Sequence, residues 1–400
     1  LATLRAERAL LATQLGETDV AVAQYQKAVE LNPMDASLRF NLGEALEKRG
    51  QQLDAAVASY RKALELKPDL TAARVNLARA LASKGLFGEA KDLLGSVARD
   101  NLNDAEAHYN LGVILMREGN VAGAVSEYER TLAIAPKHAQ ALNNLGVALD
   151  AQAKHPLALE AFQKATKADP AYAEAFFNLG LSYYRLNDTV KATRAFEQAL
   201  KLEPASAGPY TQLGELYLRQ GKKDRAVEAF KKAIAAQEEA EAKGKGFAIV
   251  KKTFDGRRSA DAYQGLALAY LAQGNAPEAV ATLKRAVDKL PKEPNAHLAL
   301  GEALLVQGDY DAAVASFQRR LELDPTTEAK VDLARALARR RSGKAAEALY
   351  REVLKVEPNR PDALLGLADL LVALGRLPEA ETVLADALKT NPEATALLAR

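Results

Sequence analysis

The chain has 400 residues with 54 basic and 52 acidic side chains, and its net charge of +2 argues against a dedicated nucleic-acid binder. It has no cysteine, which excludes disulfides, zinc–thiolate sites and cysteine nucleophiles. No apolar run reaches 18 residues, so we expect a soluble chain without a membrane span; the compartment stays open, with the cytoplasm favoured over the periplasm.

A small residue, called the anchor here, returns along the whole chain. Successive anchors are 33 to 35 residues apart, except at one gap of 53. Around each anchor, apolar residues fall at helical spacing on two short segments, which predicts two amphipathic helices per repeat. The anchors are Gly43, Ala78, Gly112, Gly146, Gly180, Gly214, Ala267, Gly301, Ala334 and Ala368.

The residues around the anchor follow a fixed order. Leucine precedes every anchor, and in most repeats an aromatic residue follows 16 positions later, as Phe162 follows Gly146. Because the anchor has little or no side chain, we expect a neighbouring helix to come close and the ring to fill the remaining space. Nine of the 15 prolines close a repeat, and the other six fall at starts of predicted helices, where proline is tolerated.

This order and its period of 34 residues resemble the tetratricopeptide repeat over the whole chain. The segment AEAFFNLGLSYYRLNDTVKATRAFEQALKLEP is close to the family pattern throughout. The resemblance implies an all-α, right-handed superhelical solenoid of about eleven antiparallel helix pairs. Since the repeats account for nearly every residue, we expect no catalytic domain, no cofactor and no metal.

With the anchor numbered as position 8, position 6 holds asparagine in five successive repeats. An amide can pair with both the N–H and the C=O of an extended peptide without reading its sequence. This row resembles the asparagine ladder in the superhelical repeats of O-linked N-acetylglucosamine (O-GlcNAc) transferases; simple inheritance of the family consensus is the alternative. The five residues are Asn41, Asn76, Asn110, Asn144 and Asn178.

Positions 5, 9 and 13 would complete the site, because in this family they point into the concave groove. Apolar side chains at positions 5 and 9 predict a partner surface, and arginines at position 13 predict contacts with carboxylates. Packing between repeats is the alternative for some of them. The predicted partner-binding residues are Phe40, Tyr109, Phe177, Val113, Val147, Leu181, Arg117, Arg185 and Arg219.

The gap of 53 residues between Gly214 and Ala267 equals one repeat plus an insertion of 19. It divides the sequence into repeats 1 to 7 (1–237), a basic insertion (238–259) and repeats 8 to 11 with the start of a further helix (260–400). We expect a lengthened second helix in repeat 7, followed by a basic segment that either contacts an acidic partner, phosphate or membrane surface, or is a solvated loop. Its candidate contacts are Lys251, Lys252, Arg257 and Arg258.

The four histidines have no metal-ligand spacing. His108 and His297 occupy position 4, where the family usually has a bulky packing residue, so we expect them to be buried. His138 lies at a junction between repeats and His155 in a turn, and both are expected to be solvated.

These observations favour a non-enzymatic adaptor that binds a partner peptide or helix in the groove of repeats 2 to 6, within a bacterial multiprotein assembly. One alternative is the substrate-targeting arm of a larger enzyme such as an O-GlcNAc-type glycosyltransferase. The other is a structural subunit of a bacterial envelope, pilus or polarity machine. Both ends look incomplete, since Leu1 already lies in a helical pattern, and we expect the parent protein to extend further.

Overall fold

The computed structural model describes residues 1–50, 52–101, 103–242 and 261–390. These residues form 22 α-helices in eleven pairs, with no strand among them. The chain divides into two compact units, Leu1–Leu202 (unit 1) and Glu203–Arg400 (unit 2). Within each unit, the second helix of a pair packs on its own first helix and on the first helix of the next pair. The predicted all-α solenoid of helix pairs is therefore confirmed.

Odd-numbered helices are the first helices of their pairs. Unit 1 contains α1 Ala2–Gln14, α2 Thr18–Leu31, α3 Ala36–Arg49, α4 Leu53–Leu66, α5 Thr71–Ser83, α6 Phe87–Asp100, α7 Ala105–Arg117, α8 Val121–Ile134, α9 Ala139–Ala151, α10 His155–Ala168, α11 Ala173–Arg185 and α12 Thr189–Leu202. Unit 2 contains α13 Ala207–Arg219, α14 Lys223–Ala242, α15 Asp261–Ala272, α16 Ala276–Lys289, α17 Pro294–Gln307, α18 Tyr310–Leu323, α19 Thr327–Arg339, α20 Gly343–Val356, α21 Pro361–Ala373 and α22 Leu377–Thr390.

The anchor glycines let a ring of the second helix reach the backbone of the first. A Cβ atom placed on Gly43 would lie 2.5 Å from Cε1 of Tyr60, and one placed on Gly180 would lie 2.5 Å from Cε1 of Phe196. Both rings are completely buried. Any larger residue at these glycines would overlap the ring, so the predicted role of the anchor is confirmed.

The turn inside each pair requires a left-handed backbone conformation at one position. Glycine supplies it in most repeats, for example Gly119 with φ 82°. Ala153, Asn187 and Arg341 occupy the same position with φ values of 59°, 59° and 64°, although side chains disfavour that region. Prolines within helices lie in the first turn, as Pro156 does in α10, so they remove no helical hydrogen bond.

Helix α14 has 20 residues, whereas the other described helices have 12 to 14, which confirms the predicted extension in repeat 7. It continues past residue 237 to Ala242, so that proposed boundary falls inside a helix. The three-part division 1–237, 238–259 and 260–400 stays a prediction. The candidate basic contacts Lys251, Lys252, Arg257 and Arg258 lie outside the described residues. No helix in the described ranges has both the length and the apolar character needed to cross a bilayer.

Candidate functional site: the first-helix face of unit 1

The first helices form the inner side of unit 1. Helix α3 contacts α5, α5 contacts α7, α7 contacts α9 and α9 contacts α11. Among the described residues, the second helices make no comparable contacts with one another. The repeats therefore curve toward the first helices. We call the surface formed by positions 5, 6, 9 and 13 of α3, α5, α7, α9 and α11 the first-helix face.

Two asparagines of the predicted row donate hydrogen bonds to the preceding repeat. Asn76 Nδ2 donates to Glu44 Oε1 at 3.2 Å. Asn144 Nδ2 donates to the hydroxyl of Tyr109 at 3.3 Å. Both acceptors lie on the first helix one repeat earlier, so these amides join neighbouring first helices.

Two other asparagines differ from this pair in their contacts. Asn110 Nδ2 donates to the carbonyl oxygen of Glu106, one turn earlier in the same helix, at 2.8 Å. Asn41 is half-buried and lines a cleft of 290 Å³ between α1 and α3, together with Leu10 and Tyr25. The amide of Asn110 thus makes no contact that holds two repeats together.

Asn143, which the sequence analysis missed, is the centre of a buried network. Its side chain is completely buried, accepts from Asn178 Nδ2 at 2.9 Å and donates to the hydroxyl of Tyr172 at 3.3 Å. Asn178 is itself only 7% exposed, so its amide is used inside the protein. The available signal was an amide at position 5, where the repeats on either side have the rings of Tyr109 and Phe177.

The predicted aromatic residues lean on the second helix of their own repeat. The ring centroids of Phe40 and Tyr60 are 5.9 Å apart with a tilt of 44°. Those of Phe177 and Phe196 are 5.8 Å apart with a tilt of 47°. Phe40 and Phe177 are half-buried, so packing uses one side of each ring and leaves part of it at the surface.

Tyr109 is held on three sides. Its ring centroid is 6.2 Å from that of Tyr128 and 4.8 Å from that of His138, and its hydroxyl accepts the Asn144 amide. Burial raises the pKa of Tyr109, and the hydrogen bond from Asn144 lowers it by a smaller amount. The hydroxyl therefore stays protonated near neutral pH and can donate a hydrogen bond.

The expectation that His138 is solvated is wrong. Its Nδ1 accepts the backbone N–H of Ala141 at 3.2 Å and caps α9, while its ring packs on Tyr109. Only 14% of its side chain is exposed, because capping and ring packing hold it in place. Burial of His108 and His297 is confirmed, at 5% and 7% exposure.

The predicted aliphatic and basic residues differ in the contacts that they make. Val113, Val147 and Leu181 are half-buried at the surfaces of three successive first helices. Arg117 reaches the carbonyl oxygen of Ala82 through Nη1 at 3.5 Å, a long contact.

Arg185 is held more firmly, because its Nη1 pairs with the buried carboxylate of Asp150. His155 also contacts that carboxylate, with Nδ1 at 2.5 Å, although 41% of the histidine side chain is exposed. Arg219 belongs to α13 in unit 2 and lies outside the first-helix face.

Two arginines of this face, Arg79 and Arg185, are paired with carboxylates of the preceding first helix. Arg79 Nε and Nη2 bind the two carboxylate oxygens of Glu47 at 3.0 Å each, and Glu47 also accepts the Tyr60 hydroxyl at 2.9 Å. Within the described ranges, no group of three or more His, Cys, Asp or Glu residues could hold a metal ion. The face therefore offers mainly apolar and neutral polar groups.

Comparisons with known proteins bear on the whole chain. The tetratricopeptide repeat profile matches residues 7–71, 49–111, 103–171, 173–206, 207–239, 265–327 and 337–400. Superkiller complex protein 3 of Mus musculus is 33% identical over 112 residues, which is 28% of this chain and 7% of that protein. The chain thus spans a small part of the length of this curated relative.

Solved structures with the same repeat are also similar. MamA is 29% identical, with 42% of this chain and 97% of MamA covered and a TM-score of 0.39. YrrB, described as having an unusual peptide-binding site, is 27% identical, with 45% and 92% covered and a TM-score of 0.35. Yeast Tom70 is 18% identical, with 100% and 96% covered and a TM-score of 0.46.

Proteins built from this repeat are generally non-catalytic, and they act as scaffolds for protein interactions. The matched ranges cover most of the sequence. The eleven helix pairs and the packing of rings on anchor glycines are the structural counterpart of these matches. The chain belongs to the tetratricopeptide repeat family.

Proposed function

We propose that the chain is a non-enzymatic adaptor whose first-helix face in unit 1 binds a peptide segment or helix of a partner protein. The observation that carries the proposal is the half-buried apolar surface of Val113, Val147 and Leu181 on three contacting first helices. Contiguous apolar surface on a soluble protein usually marks a partner site.

Tyr109 supplies a rigid part of this surface. Its contacts with Tyr128, His138 and Asn144 fix the ring before any partner arrives. Binding then costs little side-chain entropy at this position, and the hydroxyl proton can meet a carbonyl of the partner. We therefore expect Tyr109 to lie at the centre of the binding surface.

The asparagines would contribute unequally. Asn110 is bonded only to a carbonyl of its own helix turn, and such a local bond can be exchanged for one to a peptide. Asn144 joins two repeats through Tyr109, and Asn178 is buried on Asn143. We propose that Asn110, and Asn41 at the cleft beside α1, contact the partner backbone, while Asn144 and Asn178 support the face.

Arginines would select for acidic residues in the partner. Arg117 makes only a long contact with a carbonyl oxygen, so it can move to a partner carboxylate. Arg185 is already paired with Asp150, and breaking that pair would leave a buried carboxylate without its cation. The proposed ligand is an apolar segment with an acidic residue near the C-terminal end of α7.

Binding can be tested with peptides selected from a random display library on the immobilised chain. The affinity of a selected peptide is then measured by calorimetry for wild type and for the double variant Val113→Lys with Val147→Lys. Two charged residues in the apolar surface should weaken binding about tenfold or more. Val190→Lys is the control, since Val190 is 60% exposed on second helix α12, and it should leave the affinity unchanged.

Equal loss in the control, or no loss in the double variant with the fold intact, contradicts the proposed surface. A single further variant tests the asparagines. Asn110→Ala should weaken the selected peptide several-fold without changing Tm. If Asn110→Ala leaves the affinity unchanged, the amide does not contact the peptide.

A further inference from the structure

The turn between α19 and α20 in unit 2 has three exposed cations. Arg339 ends α19, Arg341 lies in the turn, and Lys344 lies in the first turn of α20. In the part of the chain that the structure describes, none of the three side chains forms an ion pair or a hydrogen bond. We call these three residues the basic turn.

Neighbouring cations at the same edge of the repeats are paired with acids. Arg340, inside the same turn, places Nη1 3.5 Å from Oδ1 of Asp311 in the preceding repeat. Arg49 in repeat 2 makes the equivalent contact with Asp19, with its Nε 2.9 Å from Oδ1. The cations of the basic turn have no such acid, so their charges are available to another molecule.

Arg341 occupies a position that favours glycine. Its φ is 64°, and eight of the other ten turns inside helix pairs have glycine at this position. A side chain is disfavoured in this left-handed region, and the Arg341 guanidinium gains no contact among the described residues in return. A residue that costs stability in this way is a reason to look for a contact outside the chain.

Acidic side chains limit the basic turn on both sides. In repeat 9, 88% of the Asp311 side chain is exposed. Toward repeat 11, Glu347 and Glu379 both bind Arg376. An extended polyanion or an anionic bilayer surface would meet these carboxylates as well as the cations, and like charges repel. The basic turn therefore favours a compact anion.

We propose that the basic turn binds a phosphate monoester group on a side chain of a partner protein. Such a group has about two negative charges at neutral pH and three acceptor oxygens. An arginine can donate two parallel hydrogen bonds to phosphate oxygens, and a lysine adds a compact positive charge. Three cations thus suit a phosphate better than a single carboxylate. This site shares no residue with the first-helix face of unit 1.

A peptide library with a fixed central phosphoserine, selected on the immobilised full chain, supplies the probe. Calorimetry then measures the affinity of the best selected peptide with and without its phosphate. Removing the phosphate should weaken binding at least tenfold. Equal affinities of the two forms overturn the proposal. A selected peptide that binds no more tightly than inorganic phosphate also overturns it, because the turn would then take free phosphate.

Arg341→Gly separates ligand binding from folding. Glycine relieves the left-handed conformation, so the variant should unfold at a urea concentration no lower than that of wild type. Its affinity for the selected phosphopeptide should nevertheless fall about tenfold. Full affinity in this variant overturns the proposal.

Lys344→Gln has a matched control on the same helix. Lys355 is also exposed on α20, about 16 Å farther along the helix axis than Lys344. Lys344→Gln should weaken the selected phosphopeptide several-fold, whereas Lys355→Gln should bind it like wild type. Equal losses in the two variants would mean that the peptide responds to net charge alone, which overturns the proposed site.

Discussion

Position 6 of the first helix joins repeats by different means in the two units. In unit 1, the Asn76 and Asn144 amides donate to groups on the preceding first helix. In unit 2, position 6 is glycine at Gly265, where an added Cβ atom would lie 2.3 Å from Cε1 of Phe230 in the preceding repeat. In unit 1 the position-6 side chain bonds to the preceding repeat, whereas in unit 2 a ring of the preceding repeat packs on the position-6 glycine.

The same position shows a second ring contact and one ion pair in unit 2. Gly366 has the Tyr350 ring against it, with a hypothetical Cβ atom 2.5 Å from Cζ. Asp332 pairs with the buried Arg320 and accepts from Arg335 Nη2 at 2.9 Å. Contact between repeats can thus be made by amides, rings or ions. Of these three kinds of contact, only the amide leaves a neutral polar group near the surface, which agrees with a peptide site in unit 1.

Transferring the unit 1 residue into unit 2 should have the largest effect. Gly265→Asn puts a side chain where Phe230 packs, and Phe230 is completely buried. Overpacking of this kind should lower the free energy of unfolding by about 2–3 kcal/mol, which corresponds to a fall of about 2–4 °C in Tm for a chain of this length. Calorimetry of the full chain measures it.

Ala299→Asn is the matched control, because Ala299 is position 6 of the next repeat and already has a Cβ atom. It should cost about 0.5 kcal/mol, the difference in helix propensity. If Gly265→Asn costs no more than Ala299→Asn, ring packing is not what requires glycine there.

Breaking the buried amide network should have the next largest effect. Asn178→Ala leaves the buried Asn143 carbonyl without its donor, which should cost about 1–3 kcal/mol in urea unfolding. Asn110→Ala should change the free energy of unfolding by less than about 0.5 kcal/mol, because its bond is local. Equal costs for the two variants would mean that the distinction between supporting and accessible asparagines is wrong.

Removing a tyrosine hydroxyl should have the smallest effect on the free energy of unfolding at neutral pH. The Tyr60 hydroxyl in unit 1 donates to Glu47 at 2.9 Å, so Tyr60→Phe should cost about 1 kcal/mol. The Tyr350 hydroxyl in unit 2 lies against Gly366, and Tyr350→Phe should change the free energy of unfolding by less than about 0.5 kcal/mol.

Alkaline pH should separate wild type from the Tyr350→Phe variant. Burial raises the pKa of Tyr350 to about 12, above the ordinary value of 10.0. The fold therefore favours the protonated hydroxyl, and its contribution is complete below pH 10 and lost as the pH rises toward 12. Wild type should lose stability relative to the variant over this interval in urea unfolding, whereas a difference independent of pH would contradict the assignment.

The sequence predicted the repeat, its helix pairs and the role of the anchor glycines, because these depend on local spacing and on steric exclusion. Gly43 and Gly180 meet their rings as expected. The sequence alone placed His138 wrongly and missed Asn143, because the Tyr109 ring and the Asn178 amide reach these residues only when two repeats stack.

The sequence by itself determined that the chain is an array of helix pairs, and that asparagine at position 6 ends before the insertion. Only the tertiary structure decided which asparagines are accessible. Asn178 and its partner Asn143 are 35 residues apart, so their bond depends on how one repeat rests on the next. Periodicity places a side chain on a helix face, but stacking determines whether that face meets protein or solvent.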